Sequence, residues 1–277
     1  MTELQASTLA WAFPVGPLGE LTAAAEGRAA ALLPVAGELE RAVAAASAVP
    51  SLASALSTAS VSVIAELKRR SPSKGVMNDS LDAPGRALAY VSGGAAALSV
   101  LTEPVRFGGS LDDLRAVRRA THVPLLRKDF IVDRLQLLEA RAAGASAVLL
   151  IARALPPLRL GDLATAAIAI GLEVLLEVRT EAELECALRV ESAIIGVNNR
   201  NLETLVIDAS VGASLLPLVP RTRIAVSESG VTSRADVEAA ASLGVDAVLV
   251  GSVLTSAADG TAAVAALANV ARRPRGH

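Results

Sequence analysis

Short aliphatic runs alternate with amphipathic stretches over most of the chain. Runs rich in Val, Ile and Leu fall at roughly 61–66, 96–101, 124–128, 146–151, 173–178, 193–198, 223–228 and 246–250. Runs this short, with little polar alternation, predict strands buried on both faces, as in a parallel sheet. Helix-period stretches follow each run, near 82–92, 110–120, 133–143, 159–170, 181–189, 210–219, 232–243 and 261–271. Four of the joins repeat one pattern: Gly94–Leu101, Gly144–Ile151, Gly171–Val178 and Gly244–Gly251 each place a Gly before an aliphatic run. Such a Gly ends a helix in the left-handed conformation and releases the chain into a strand. The spacings of 50, 27 and 73 residues are close to two, one and three units of about 25, the length of one βα unit.

Eight strand–helix units joined by right-handed crossovers predict an α/β fold, a single closed (β/α)8 TIM barrel. An open Rossmann-like sheet is the alternative, and no G-x-G-x-x-G follows any strand to favour it. The first 60 residues differ. Residues 20–48 are rich in Ala, Leu and Glu and predict one or two helices broken near Pro34; Ser51 to Ser60 is a small-residue connector. The expected organisation is a helical extension, 1–60, packed on a barrel, 61–277, as one domain overall.

Charge and composition remove several classes of function. With 26 basic and 28 acidic residues in 277, the formal charge of −2 offers no footprint for nucleic acid. No run of about 18 residues is free of polar interruption, so no membrane span is expected. Met1-Thr2-Glu3-Leu4 is not the start of a secretory signal, and a cytoplasmic protein is expected. A single cysteine, Cys186, and two histidines, His122 and His277, are too few for a disulfide framework or a Cys- or His-rich metal site.

Only three of the basic residues are lysines, Lys68, Lys74 and Lys128. Arg cannot replace Lys where a group must give and recover a proton, so their positions carry information. All three fall just after strands 1 and 3, at the barrel end that carries chemistry. Glu66 and Lys68, two apart on a strand, share a face and form an acid–base pair if that face is the lumen. A Lys buried in such a cluster can be tuned toward neutral pH as a general acid. Glu173 and Glu177 also share a strand face; Glu177 lies at the mouth and is expected to be functional, Glu173 to make a salt bridge at the opposite rim. Ser229-Gly230 and Gly251-Ser252 follow strands 7 and 8, the usual barrel position for a phosphate cradle. His122 is expected in a loop at the far end, Cys186 in helix packing, Asp246 at the stability face, and Arg272-Arg273-Pro274-Arg275 as a solvated tail.

These motifs resemble the indole-3-glycerol phosphate synthase family. The resemblance rests on Glu66–Gly75, Ser99–Glu103, Arg127–Val132, Gly196–Leu202, Ser227–Val231 and Val250–Ser252, in order across about 61–256. It implies a barrel with an N-terminal helical segment. The implied reaction is closure of the indole ring of 1-(o-carboxyphenylamino)-1-deoxyribulose 5-phosphate, with loss of CO2 and water and with neither metal nor organic cofactor. It further implies Lys128 as the acid at ring closure and Lys68, supported by Glu66, in the dehydration. The proton steps between Glu66 and Glu177 are left open. Asn198, Arg200 and Glu228 would orient these groups and the substrate, and Ser71 would support the first loop. Phe107 and Phe130 would wall the aryl ring, and Ser229, Gly230, Gly251 and Ser252 would hold the phosphate.

Two stretches depart from the family's usual pattern. The second loop reads Val105-Arg106-Phe107-Gly108-Gly109, where an aromatic pair followed by Gln or Asn is more usual, and the first 50 residues match poorly, with Trp11 and Phe13 unplaced. The expected partner is a phosphorylated small molecule, with no nucleic acid or membrane, for a monomer or weak homodimer. The chain stops soon after the eighth helix, so no fused second enzyme is expected. Two other readings are a neighbouring phosphate-binding barrel, such as phosphoribosylanthranilate isomerase, and a non-catalytic barrel subunit. The isomerase chemistry relies on a Cys after the first strand, where this chain has Glu66-Leu67-Lys68. Loss of Lys68, Lys128 or Glu177 would have favoured the non-catalytic subunit, and all three are present.

Overall fold

A computed structural model describes residues 11–71 and 75–275. Eight parallel strands close on themselves: β1 (Ser60–Leu67), β2 (Ala97–Leu101), β3 (Leu125–Lys128), β4 (Ala147–Ile151), β5 (Glu173–Val178), β6 (Ile194–Asn198), β7 (Ala225–Glu228) and β8 (Ala247–Val250), with β8 paired back to β1. Each lies within one or two residues of its predicted run. The helices between them are α4 (Ala83–Ser92), α5 (Leu111–Ala120), α6 (Arg134–Ala142), α7 (Pro157–Ala169), α8 (Glu181–Leu188), α9 (Ser210–Leu215), α10 (Arg234–Ser242), α11 (Ser252–Ser256) and α12 (Gly260–Leu267); α1 (Gly16–Ala30), α2 (Ala36–Ala44) and α3 (Leu52–Leu56) precede the barrel. The repeated glycines behave as their position demands, with φ of 99°, 89°, 79° and 79° at Gly94, Gly144, Gly171 and Gly244.

The register fixes which side chains enter the lumen. From Ser62 the partners run through Ala247, Val226 and Gly196 to Glu177. From Glu66 the other way they run through Ser99, Leu126 and Ala147 to Glu173. The two routes leave β1 four residues apart and reach β5 four residues apart in the opposite sense, which together make the stagger of eight of this barrel type. All these residues point inward, and so do Lys128, Asn198 and Glu228, two residues beyond Leu126, Gly196 and Val226. Directly beneath Glu66, Lys128, Glu177 and Glu228 on the same strands, the inward layer is aliphatic and closed, with Ile64, Leu126, Leu175 and Val226 inaccessible to solvent.

The N-terminal end of the barrel overturns three expectations. Ser51 to Ser60 is not all connector: Ser51 caps α3, whose Leu52 and Leu56 are fully buried. Glu173 makes no salt bridge there among the described residues; its carboxylate accepts from the Ser51 hydroxyl and from the Leu52 and Ala53 N–H groups, so it caps that helix. Nor is the Arg-rich tail solvated throughout: Arg273 and Pro274 are exposed, but the arginines on either side of them are paired. Arg275 is 5% exposed and pairs with the buried Asp246 at 2.8 Å, while Arg272 pairs with the same carboxylate. The eighth helix also stops short of 271. Asn269 takes φ of 59°, a conformation Asn tolerates, and Val270–Ala271 then pair antiparallel with Ser60–Val61.

Helix α1 of the extension lies across the opposite, carboxyl end. Leu18, Leu21 and Ala25 of α1 join the core, and Arg28 reaches Asp129 beyond β3 at 2.6 Å.

Candidate active site

One cavity of about 210 Å³ occupies the carboxyl end of the barrel, and every one of the fourteen predicted site residues lines it. Strands β1, β3, β5 and β7 each contribute one inward charged group at its floor: Glu66, Lys128, Glu177 and Glu228. This is the four-residue layer that alternate strands build in such a barrel. Lys128 Nζ donates to Glu228 Oε2 at 2.7 Å and stands 3.7 Å from Glu177 Oε2. Lys68, just past β1, donates to Glu66 Oε1 at 2.8 Å and to the Ser252 hydroxyl at 3.3 Å. Asn198 Nδ2 donates to Glu177 Oε1 at 2.9 Å, and Asn198 Oδ1 accepts from the Arg200 N–H at 2.9 Å. Two rim positions have no room for a side chain: a Cβ on Gly196 would collide with Glu228 Oε1, and one on Gly251 with Glu66 Oε1.

Burial and charge set these groups apart in proton affinity. Burial pushes the Glu177 carboxyl up to about 7, and the charge of Glu228 adds to it; Lys128 and the Asn198 hydrogen bond oppose them. Burial acts the same way on Glu66, but Lys68, Lys128 and Arg200 outweigh it and hold that carboxyl below its ordinary value. Lys128 is not tuned toward neutral. Burial would lower it, yet Glu228, Glu177 and Glu66 together hold it above the ordinary lysine value. It is therefore a fully charged donor, and Glu177 is the group poised near neutrality.

The walls divide by chemistry. Phe107 and Phe130 stand 6.3 Å apart, inclined at 34°, beside Leu101 and Leu149, and form an apolar side. Across from them, Ser229 and Gly230 both take positive φ, 64° and 95°, so consecutive N–H groups turn toward one point. Gly251 and Ser252 open α11 beside them. Ser71 is buried in the first loop; Lys74 lies outside the described residues.

Several supports escaped the sequence reading. Pro17 and Leu21 bring α1 into the cavity wall. Asp129, quoted in a motif but given no role, accepts from Arg28, Thr102, Arg127 and its neighbour Phe130 N–H, tying the extension to the residue after Lys128. Glu103 accepts from the N–H groups of Val105, Arg106 and Phe107 and so sets the second loop. Asn199 donates to the Ser229 carbonyl at 3.0 Å and steadies the cradle. Trp11 and Phe13, an edge-on pair at 6.1 Å, lie in a separate groove beside α1. The expectations for two bland residues hold, with His122 exposed and Cys186 half-buried on α8.

Buried ammonium and carboxylate groups converging in a cavity at the carboxyl end of the barrel are the equipment of an enzyme that moves protons on a small molecule. Solved structures agree at the level of the fold. The chain superposes on 3-hexulose-6-phosphate synthase from Salmonella typhimurium with TM-score 0.59 at 18% identity, covering 75% of this chain and 96% of that one. It superposes on tryptophan synthase subunit alpha from Legionella pneumophila with TM-score 0.56 at 14% identity, covering 75% and 91%. Sequence comparison goes further. The profile for indole-3-glycerol phosphate synthase matches residues 23–267. Proteins of that name from Kineococcus radiotolerans and Rhodococcus jostii are 50% identical over 214 residues (77% of this chain, 78% of theirs) and 48% identical over 233 residues (83% and 87%). The chain belongs to the indole-3-glycerol phosphate synthase family.

Proposed function

We propose that this carboxy-lyase converts 1-(o-carboxyphenylamino)-1-deoxyribulose 5-phosphate into indole-3-glycerol phosphate, with the charged ring at the cavity floor as its acid–base machinery. The observation that carries this reading is the placement of Lys128 between Glu228 and Glu177, beneath an apolar wall on one side and a cradle of N–H groups on the other. The aryl ring lies against Phe107 and Phe130, and the phosphate is held by Ser229, Gly230, Gly251 and Ser252. Arg200 and Ser71 fix the chain between them.

The carboxylate-bearing aryl carbon then bonds to the ketone carbon, and Lys128 gives its proton to the ketone oxygen. CO2 leaves, and its bonding pair returns to the ring. The new hydroxyl departs as water with a proton from Lys68, whose charge the ionised Glu66 balances. Glu177 takes the proton from the carbon next to nitrogen, because its proton affinity lets it bind and release at neutral pH. Asn198 holds the Glu177 carboxylate in place.

The isomerase reading lacks its cysteine, since the lone cysteine lies on α8 and not after β1. No helix among the described residues is long and apolar enough to cross a membrane. A charged phosphate ester does not pass a bilayer either, which supports the cytoplasm as the compartment. The test is to add the carboxyphenylamino-deoxyribulose phosphate and follow indole fluorescence. Growth of the indole signal at a rate proportional to enzyme is expected, and silence from folded protein at saturating substrate overturns the reading.

A further inference from the structure

The reaction proposed above consumes a proton. An ionised carboxylate leaves as neutral CO2 and an oxygen leaves as water, so each turnover takes up one proton from solvent. Substrate seated between the aryl wall and the phosphate cradle fills the mouth above the charged ring. The buried groups then need another route to bulk water.

A second cavity, of about 200 Å³, opens behind Glu177 between the loops that follow β4, β5 and β6. Glu177 and Arg200 line both cavities. Thr180 in its lining is exposed, and Glu183 on α8, half-buried, lines the same cavity as Glu177. Glu183 accepts from the Arg179 N–H at 2.7 Å. The other charged groups facing this space are Arg153, paired with Glu203 at 2.7 Å, and Arg179 itself. The Arg179 Nε is buried with no hydrogen-bond partner among the described residues, a donor that water in a polar space of this size satisfies. Burial raises the Glu183 carboxyl above its ordinary value, against the pull of Arg179, Arg153 and Thr180.

We propose that this side cavity is the proton inlet of the active site, with Glu183 passing protons from solvent, through water, to Glu177. After a turnover Glu177 holds the proton taken from carbon while Lys128 and Lys68 each lack one. Glu177 returns its proton to Lys128, 3.7 Å away. Glu183 then gives its proton to a water, and that water gives one to the freed Glu177 carboxylate, which hands it on through Lys128 and Glu66 to Lys68; solvent reprotonates Glu183. Only O–H and N–H bonds break and form, and Glu177 ends ionised for the next cycle. Glu183 acts through Glu177 and touches no substrate. It also lies in the first turn of α8, whose cap is Thr180, so a purely structural role is the competing explanation.

The inlet rests on the proposed reaction, and the test separates the two. Glu183→Gln keeps the acceptor for the Arg179 N–H but cannot carry a proton. In the full chain its kcat should fall about tenfold with KM unchanged and with a larger solvent deuterium isotope effect. Small acids such as imidazolium should restore the rate, bulky buffers should not, and Glu183→Asp should retain part of it. Parental kcat and isotope effect in Glu183→Gln, or a loss that no small acid repairs, overturns the inlet alone. A parent enzyme that forms no indole overturns both.

Discussion

Glu177→Gln should make the protein more stable at pH 8 while abolishing turnover. The carboxyl titrates near 4.5 in an unfolded chain and near 7 in the fold. Between those values the folded state holds a proton that the unfolded state has released, so stability falls as pH rises from about 4.5 to about 7. At 1.36 kcal/mol per unit, the ionised side chain costs the fold about 3 kcal/mol above pH 7. Gln has nearly the same shape, accepts from Asn198 and never ionises, so it escapes that cost. Lys128 keeps Glu228 at 2.7 Å as its partner. For a chain of this size about 3 kcal/mol corresponds to roughly 6 °C in Tm. Paired thermal melts of parent and variant at pH 5 and pH 8 read it directly. The gain should be large at pH 8 and mostly absent at pH 5. An equal shift at both pH values, or a loss at pH 8, would refute the idea that Glu177 carries a buried charge at the expense of the fold.

Glu228→Gln should lower the proton affinity of Glu177, because it removes a like charge and leaves Lys128 undivided; the limb of the kcat–pH profile near 7 should move to lower pH, and an unmoved limb contradicts the coupling. Lys128→Arg should fold normally and lose about 10²–10⁴ in kcat, since a guanidinium does not release its proton; circular dichroism and indole fluorescence together check this. Arg275→Ala should cost about 2–3 kcal/mol in urea unfolding, reduced from the full value because Arg272 still reaches Asp246, and should leave kcat at 25 °C unaltered; a neutral result means the tail adds nothing.

The barrel was legible because buried parallel strands write themselves as unbroken aliphatic runs, and because four of the helices end in the same left-handed glycine. The site was legible where parity alone decides: Glu66 and Lys68 share a face whatever the rest of the chain does. The scarcity of lysine made Lys68 and Lys128 visible before any fold was assumed. What stayed hidden depends on partners distant in sequence. Glu173 reads as one half of an ion pair until α3 presents two N–H groups to it. Arg275 reads as solvated until Asp246, 29 residues earlier, is seen buried beneath it. The raised proton affinity of Lys128 required three carboxylates from three other strands, a sum that no local pattern contains.

The pairing of β8 with β1, with Val270–Ala271 laid on the outside of the same seam, has a consequence for synthesis. As the polypeptide leaves the ribosome, the first strand waits with an open edge while seven more emerge. Arg272 and Arg275 join Asp246 only after that. Until β8 has emerged the sheet is an unclosed ribbon, able to pair with strangers. For this protein the segment from β8 to Arg275 turns a newborn template for aggregation into a closed vessel.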